Sequence, residues 1–244
     1  MPHPTPPTPL FATTHWSVVL QAQSKSSLDS REALETLCRT YWYPLYAYIR
    51  RAGRSPHDAQ DLTQEFFSRL LEKDWLLAAA PEHGRFRTFL LMALKRFMAR
   101  EWHRSTALKR GGTQGPVSLD ALDAEQRYAI EPVDALAPDE IYERRWAMMM
   151  LDQALEQLGI EFAAAGKDRK FQCLKHWLGA DRGDIPYSEL AVALATTEGA
   201  ARVALHRLRK RFRQIFRDSI ASTVAEGEDV DAEVQYLVSV LSRA

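Results

Sequence analysis

Apolar residues recur at three- and four-residue spacing along nearly the whole chain, and no stretch alternates with the two-residue period of a strand. The pattern predicts an all-α protein made of two small helical domains. After a proline-rich leader, a short helix is expected from Trp16 to Gln23. A second, from Ser30 to Ala52, carries Leu34, Leu37, Cys38, Tyr41, Leu45, Tyr48 and Ile49 on one side, and Pro44 is expected to kink it. Ser55-Pro56-His57-Asp58 reads as a helix start: Ser as cap, Pro at the first helical position and an acid three residues after the cap. That helix is expected to reach Lys73. Further helices are expected over Phe86–Arg104, Asp139–Phe162, Arg169–Leu178, Tyr187–Ala195 and Glu198–Ser219. A final amphipathic stretch runs from Ala232 to Leu241, with Val234, Leu237, Val238 and Leu241 as its apolar stripe.

Breakers set the domain bounds. Gly111, Gly112, Gly115, Pro116, Pro132 and Pro138 fall among Asp120, Asp123, Glu125, Glu131, Asp134, Asp139 and Glu140. This is the composition of an acidic flexible linker, with a short helical piece near Ala121 to Tyr128. The expected organisation is a leader with a short helix over 1–29, a helical domain over 30–107, the linker over 108–138, a second helical domain over 139–221 and an acidic tail over 222–244. The leader, with Pro2, Pro4, Pro6, Pro7 and Pro9, lacks the basic segment and apolar core of a secretory signal. No apolar run approaches the roughly 18–20 residues of a membrane helix, so no membrane insertion and a cytoplasmic location are expected.

Composition changes this picture little. In 244 residues, 46% hydrophobic side chains suffice for real cores. Cys38 and Cys173 each sit in an apolar helical pattern without a second ligand at metal spacing, and read as core residues in a reducing compartment. His3, His15, His57, His83, His103, His176 and His206 are scattered, and the chain has no H-E-x-x-H, phosphate loop or nucleophile elbow. No catalytic residue, metal or cofactor is expected, and the protein is not read as an enzyme.

Charge does change it. The 32 basic and 32 acidic residues sum to zero, yet they are sorted into blocks, and nucleic acid responds to local charge. Between residues 85 and 110 stand Arg85, Arg87, Lys95, Arg96, Arg100, Arg104, Lys109 and Arg110 against Glu101 alone. Phe86, Phe89, Leu90, Ala93, Leu94 and Phe97 form the expected buried stripe of that helix, while Arg96, Arg100 and His103, with Lys95 and Trp102 alongside, share another face. Positive charge interleaved with aromatics suits phosphate neutralisation and base stacking; a solvated basic face is the plainer alternative. The preceding helix has the opposite sign. Asp58, Asp61, Glu65 and Glu72 edge an apolar face of Ala59, Leu62, Phe66 and Leu70, able to dock on a basic partner or simply to face water. The acids of the linker are expected to cover a basic surface when DNA is absent.

Near the C-terminus, Tyr187 to Leu194 makes a compact helix, Ala195-Thr196-Thr197 a tight turn in which Thr196 or Thr197 can cap, and Glu198 to Ser219 a helix with Arg202, Arg207, Arg209, Lys210, Arg211, Arg213 and Arg217. Ala191 and Ala201 permit close crossing, and Leu190, Leu194, Leu205 and Leu208 fill the angle. This is the layout of a helix-turn-helix, whose second helix offers its N-terminal residues to base edges in the major groove. An ordinary antiparallel helix pair with a basic exterior is the alternative.

Three segments then carry a family resemblance. Ser55 to Phe67, S-P-H-D-A-Q-D-L-T-Q-E-F-F, resembles the D-A-E-D-L-x-Q-E-x-F signature of sigma-70 family factors, specifically the extracytoplasmic-function group. Gly84 to Leu90, G-R-F-R-T-F-L, is similar to the G-x-F-R-x-W-L segment that follows in that family. Glu198 to Arg209, E-G-A-A-R-V-A-L-H-R-L-R, resembles its C-terminal E-G-T-V-K-S-R-L-H-R-A-R helix. Order and spacing agree over about Leu34 to Ile220, and the first motif is the most specific. The resemblance implies a bacterial sigma factor in which Asp58, Asp61, Leu62, Gln64 and Glu65 bind the β′ clamp of core RNA polymerase, with the β subunit a further contact. It implies that Gly84, Arg85, Phe86, Arg87, Lys95, Arg96, Arg100 and Trp102 serve the −10 element, with Phe86 and Trp102 as stacking candidates that are also core candidates. Thr197, Glu198, Ala200, Arg202, Val203, His206, Arg207, Arg209 and Lys210 are implied at the −35 element. Promoter DNA and core polymerase are the implied partners, with room for an anti-sigma protein.

The sequence also departs from the family pattern. Ala204 stands where Arg is common, Ala200 and Ala201 replace a usual Thr-Val pair, Gly159 to Arg169 is longer than usual, and the leader and acidic tail lie outside it. The rival from another class is a stand-alone regulator that binds duplex DNA through the C-terminal helix pair without polymerase.

Overall fold

The structure is a computed structural model; it describes residues 16–24, 28–72, 75–107, 119–129, 136–181, 183–224 and 229–242. Among these residues there are ten α-helices and no strand, so the all-α expectation holds. They are α1 (Trp16–Ala22), α2 (Leu28–Arg51), α3 (Pro56–Glu72), α4 (Phe86–Ala107), α5 (Leu119–Ala129), α6 (Pro138–Ala164), α7 (Asp168–Lys175), α8 (Tyr187–Ala193), α9 (Glu198–Ala221) and α10 (Val230–Ser242). Two short 3₁₀ turns, Trp75–Ala78 and Pro81–His83, lie between α3 and α4 where the sequence pattern predicts only a loop. Pro44 is buried within α2, which runs on past it.

The chain forms two compact units: residues 1–149 with 222–244, and residues 150–221. The second unit begins at residue 150, where the expected second domain begins at 139, and both end at 221. The first three turns of α6 pack in the first unit because Ile141, Tyr142 and Trp146 are buried there. The Tyr142 hydroxyl donates to the Arg87 carbonyl at 2.9 Å, and the Trp146 indole donates to the Tyr41 hydroxyl at 3.3 Å. The tail helix α10 belongs to the same unit.

The core of the first unit is aromatic. Tyr41, Leu45 and Ile49 of α2, Phe66 and Leu70 of α3, and Phe86, Leu90, Leu94 and Phe97 of α4 are buried, at the three- and four-residue spacing that puts each set on one helix face. Phe86 meets Trp16 and Tyr41 edge-on, with ring centroids 5.9 and 5.5 Å apart. Gln23, just past α1, donates from Nε2 to the carbonyls of Leu76 and Ala79, holding the α3–α4 connection. That connection closes at Gly84, whose φ of +96° admits glycine far more readily than any residue with a side chain.

In the second unit, Met150, Ala154 and Leu158 of α6, Phe171 and Leu174 of α7, Leu190 and Ala191 of α8, and Ala201, Leu205 and Leu208 of α9 are buried. Gly159 allows the Phe171 ring to lie against α6: a Cβ there would come within 3.0 Å of Phe171 Cε1.

Candidate functional site

The acidic edge is built by the cap of α3. The Ser55 hydroxyl accepts from the Asp58 amide at 3.1 Å and donates to the Asp58 carboxylate at 2.8 Å, fixing the first turn. Asp58, Asp61 and Gln64 are exposed, and Leu62 and Glu65 are half-buried beside them. His57 Nδ1 lies 3.1 Å from the Asp61 carboxylate. Glu65 pairs with Arg69, which also reaches Glu101 of α4 at 2.8 Å and lies over the Phe97 ring. The structure therefore brings the expected polymerase-facing residues onto one solvated strip. Among the described residues, Glu65 is tied to α4 through Arg69.

The outer face of α4 has the opposite character. From residue 86 to 102 its exposed positions are Thr88, Met92, Arg96, Ala99, Arg100 and Trp102, a broad outer face with Arg100 and Trp102 at its two edges. Trp102 is 54% exposed, with the Arg54 guanidinium 5.1 Å from its ring centre. Lys95 pairs with Asp139 at 2.6 Å. His103 and Arg104 have side chains outside the described residues, as have Lys109 and Arg110.

The remaining expected −10 residues face inward. Phe86 is buried in the aromatic cluster, so it presents no stacking face in this conformation. Arg87 is 2% exposed: it bonds Glu143 through Nε at 2.8 Å, pairs with Glu233 at 2.5 Å, and lies 4.5 Å from the Trp146 ring centre. Burial works to lower its pKa, but the two carboxylates outweigh burial and hold it above its ordinary value. Arg85 is partly exposed and pairs with the second Glu233 oxygen at 2.7 Å. Sequence reasoning missed Glu233 altogether. The buried face of α10 is Glu233, Leu237 and Val240, whereas Val238 of the expected stripe is 51% exposed. A carboxylate on the inner face offsets the apolar pattern, and only its neutralisation by two arginines lets it lie there.

The linker's acidic helix also has a basic partner. Glu125 of α5 accepts from Arg50 Nη2 at 2.8 Å, Arg50 Nε at 2.9 Å and the Tyr46 hydroxyl at 2.5 Å. Arg50 in turn lies over the Tyr128 ring. Burial works to raise the Glu125 carboxyl, but these hydrogen bonds prevail and hold it below the usual glutamate range. Of the acids named for the linker, Glu125 thus lies on Arg50, and Asp139 on Lys95 at 2.6 Å.

In the second unit, α8 and α9 are joined by a turn in which Ala195 takes φ +49°. Thr197 is the cap: its hydroxyl accepts from the Ala200 amide at 3.2 Å. Leu190, Ala191, Ala201, Leu205 and Leu208 are buried between the helices, and Leu194 is half-buried. Thr197, Glu198, Ala200, Arg202, Val203, His206, Arg207 and Lys210 are exposed. Arg202 lies 4.0 Å from the Tyr187 ring centre, which poises its guanidinium across the first helix. Arg209 is placed differently, donating to the carbonyls of Trp177 at 2.6 Å and Ala180 at 2.5 Å. Arg211 is bound by Glu161 through two contacts, at 2.8 and 2.5 Å.

Among the described residues no group of three or more metal-ligating side chains converges, and no helix is long and apolar enough to cross a membrane. Cys38 and Cys173 are half-buried and unbridged, and burial, with help from Glu35, pushes the Cys38 thiol up to about 11. No curated protein and no solved structure matches the chain. Residues 37–107, from within α2 to the end of α4, match the family model described as sigma-70 region 2. That match covers both the acidic strip of α3 and the basic face of α4, and it supports a sigma-70 family sigma factor with a role in promoter recognition by RNA polymerase.

Proposed function

We propose that the chain is a sigma factor of the extracytoplasmic-function type, cytoplasmic, and competent to direct transcription initiation. The observation that carries the reading is the pairing of two solvated surfaces of opposite sign on successive helices of the matched segment. In this reading Asp58, Asp61, Leu62, Gln64 and Glu65 dock on core polymerase, while Arg96, Arg100 and Trp102, flanked by Lys95, meet the −10 DNA. Trp102 is the stacking candidate for an unpaired base, whose extrusion costs a few kcal/mol. Gly84 and Phe86 then shape the surface from within, and Arg85 and Arg87 reach DNA only if Glu233 releases them.

The helix pair α8–α9 serves as a helix-turn-helix for the −35 element, with Thr197, Glu198, Ala200, Arg202, Val203, His206, Arg207 and Lys210 outward. Arg209 supports that motif from behind. An anti-sigma protein is a further partner consistent with this family. Reconstitution with bacterial core polymerase on candidate promoters tests the proposal: specific transcripts and a stable complex are expected. Tight duplex binding without any affinity for core polymerase would instead identify a stand-alone regulator.

A further inference from the structure

The tail helix α10 places one carboxylate against two arginines of the G-R-F-R segment. Glu233 is fully buried; one oxygen lies 2.7 Å from Arg85 Nη2 and the other 2.5 Å from Arg87 Nη2. Among the described residues neither oxygen receives an aligned hydrogen bond, so charge rather than hydrogen-bond geometry holds the contact. Leu237 and Val240, one and two turns further along the same face, are buried with it. The helix lies outside the segment 37–107 that matches region 2, and residues 222–229 connect it to α9.

A single carboxylate with one oxygen against each of two guanidiniums offers them the negative charge that a phosphate group would offer. Nucleic acid approaching this segment therefore competes with Glu233 for the same two cations. We infer that α10 is an intramolecular anionic ligand that masks Arg85 and Arg87 and must leave its seat before these residues can contact DNA. The inference rests on the sigma-factor reading and adds to it a regulated step within the same surface. Closed and open states of α10 are in equilibrium, and apparent DNA affinity is reduced by the fraction of chains in which the seat is open. Binding of DNA and seating of α10 then oppose one another reciprocally.

The test uses the full chain with core RNA polymerase and a labelled promoter fragment, offered as duplex and as single strand. Glu233→Gln keeps the shape of the side chain and removes its charge. It is expected to tighten apparent DNA binding by roughly fivefold or more, the low end of usual coupling. Hydrogen exchange over residues 230–242 of the unsubstituted chain is expected to quicken when DNA binds, and Arg85→Gln should lessen the gain that Glu233→Gln brings. Unchanged or weaker DNA binding by a folded Glu233→Gln chain would overturn the inference. So would undiminished protection of α10 in the DNA-bound, unsubstituted complex, a measurement that decides the matter even if Glu233→Gln fails to fold. Absence of DNA binding by both chains in the presence of polymerase would defeat the sigma-factor reading itself.

Discussion

Replacing Asp61 and Glu65 together by Asn and Gln separates a docking role from a structural one. Asp61 touches only His57 on its own helix among the contacts described, and both groups are substantially solvated. Glu65 pairs with Arg69, but Arg69 retains Glu101 at 2.8 Å and the Phe97 ring when Glu65 is neutralised. Exposed pairs of this kind contribute about 0.2–1 kcal/mol each, so the double substitution should destabilise the first unit by no more than about 2 kcal/mol. For a unit of this size that lowers the melting temperature by no more than about 4–8 °C. At a polymerase interface, losing two complementary charges worth about 1 kcal/mol each weakens binding by roughly 30-fold. Titration of labelled protein with core polymerase, beside a thermal melt, reads both quantities. The loss should shrink in high salt, where charge complementarity is screened. Polymerase affinity within about twofold of the unsubstituted protein, with the fold intact, would refute the assignment of this edge. A melting temperature lowered by 10 °C or more would show instead that the edge is structural.

Arg202→Ala should relax discrimination at one −35 base pair, at about 1–3 kcal/mol if the guanidinium makes a bidentate base contact; binding measured across single-base variants of the site checks this, and a uniform loss would make it a phosphate contact. Arg209→Ala removes two hydrogen bonds to carbonyls and should destabilise residues 150–221 by about 2 kcal/mol, lowering their melting by roughly 8–16 °C. Unaltered melting would return Arg209 to the DNA-facing set. Glu125 has its folded pKa depressed by Arg50 and Tyr46, so its contribution is complete above the ordinary glutamate value and is lost as pH falls through the depressed one. Hydrogen exchange in α5 should therefore accelerate below about pH 4, and Glu125→Gln should remove that dependence. An unchanged pH profile in Glu125→Gln would show that other groups govern α5.

Helix existence and most helix limits were legible because each long helix buries one stripe: Leu37, Tyr41, Leu45 and Tyr48 in α2, or Phe86, Leu90, Leu94 and Phe97 in α4, repeat at helical spacing. The cap of α3 was equally readable, since Ser55 and Asp58 interact within four residues. What failed depended on partners distant in sequence. No local pattern reveals that Arg87 meets Glu143 and Glu233, so an arginine in a basic run reads as exposed when it is buried. Glu233 shifted the buried stripe of α10, which keeps Leu237, for the same reason. Arg209 sits in a row of cations whose composition cannot tell a solvated guanidinium from one that closes the loop after α7. The domain boundary was misplaced because α6 is one uninterrupted helix, and no breaker marks the point at which its burial passes from one unit to the other.

The internal contacts of Arg209 and Arg211 also bear on how the proposed DNA binding by α9 should respond to ions. Binding to duplex DNA releases condensed counterions, and the logarithm of affinity falls with the logarithm of salt by about 0.9 for each phosphate neutralised. Seven cations in α9 would set the expectation from composition, yet Arg209 directs its donors to carbonyls and Arg211 is already matched by Glu161. Leaving these two out of the count lowers the slope by about 1.8, from two contacts at 0.9 each. The helix therefore combines a high density of positive charge with a gentler dependence on ionic strength than its sequence alone implies.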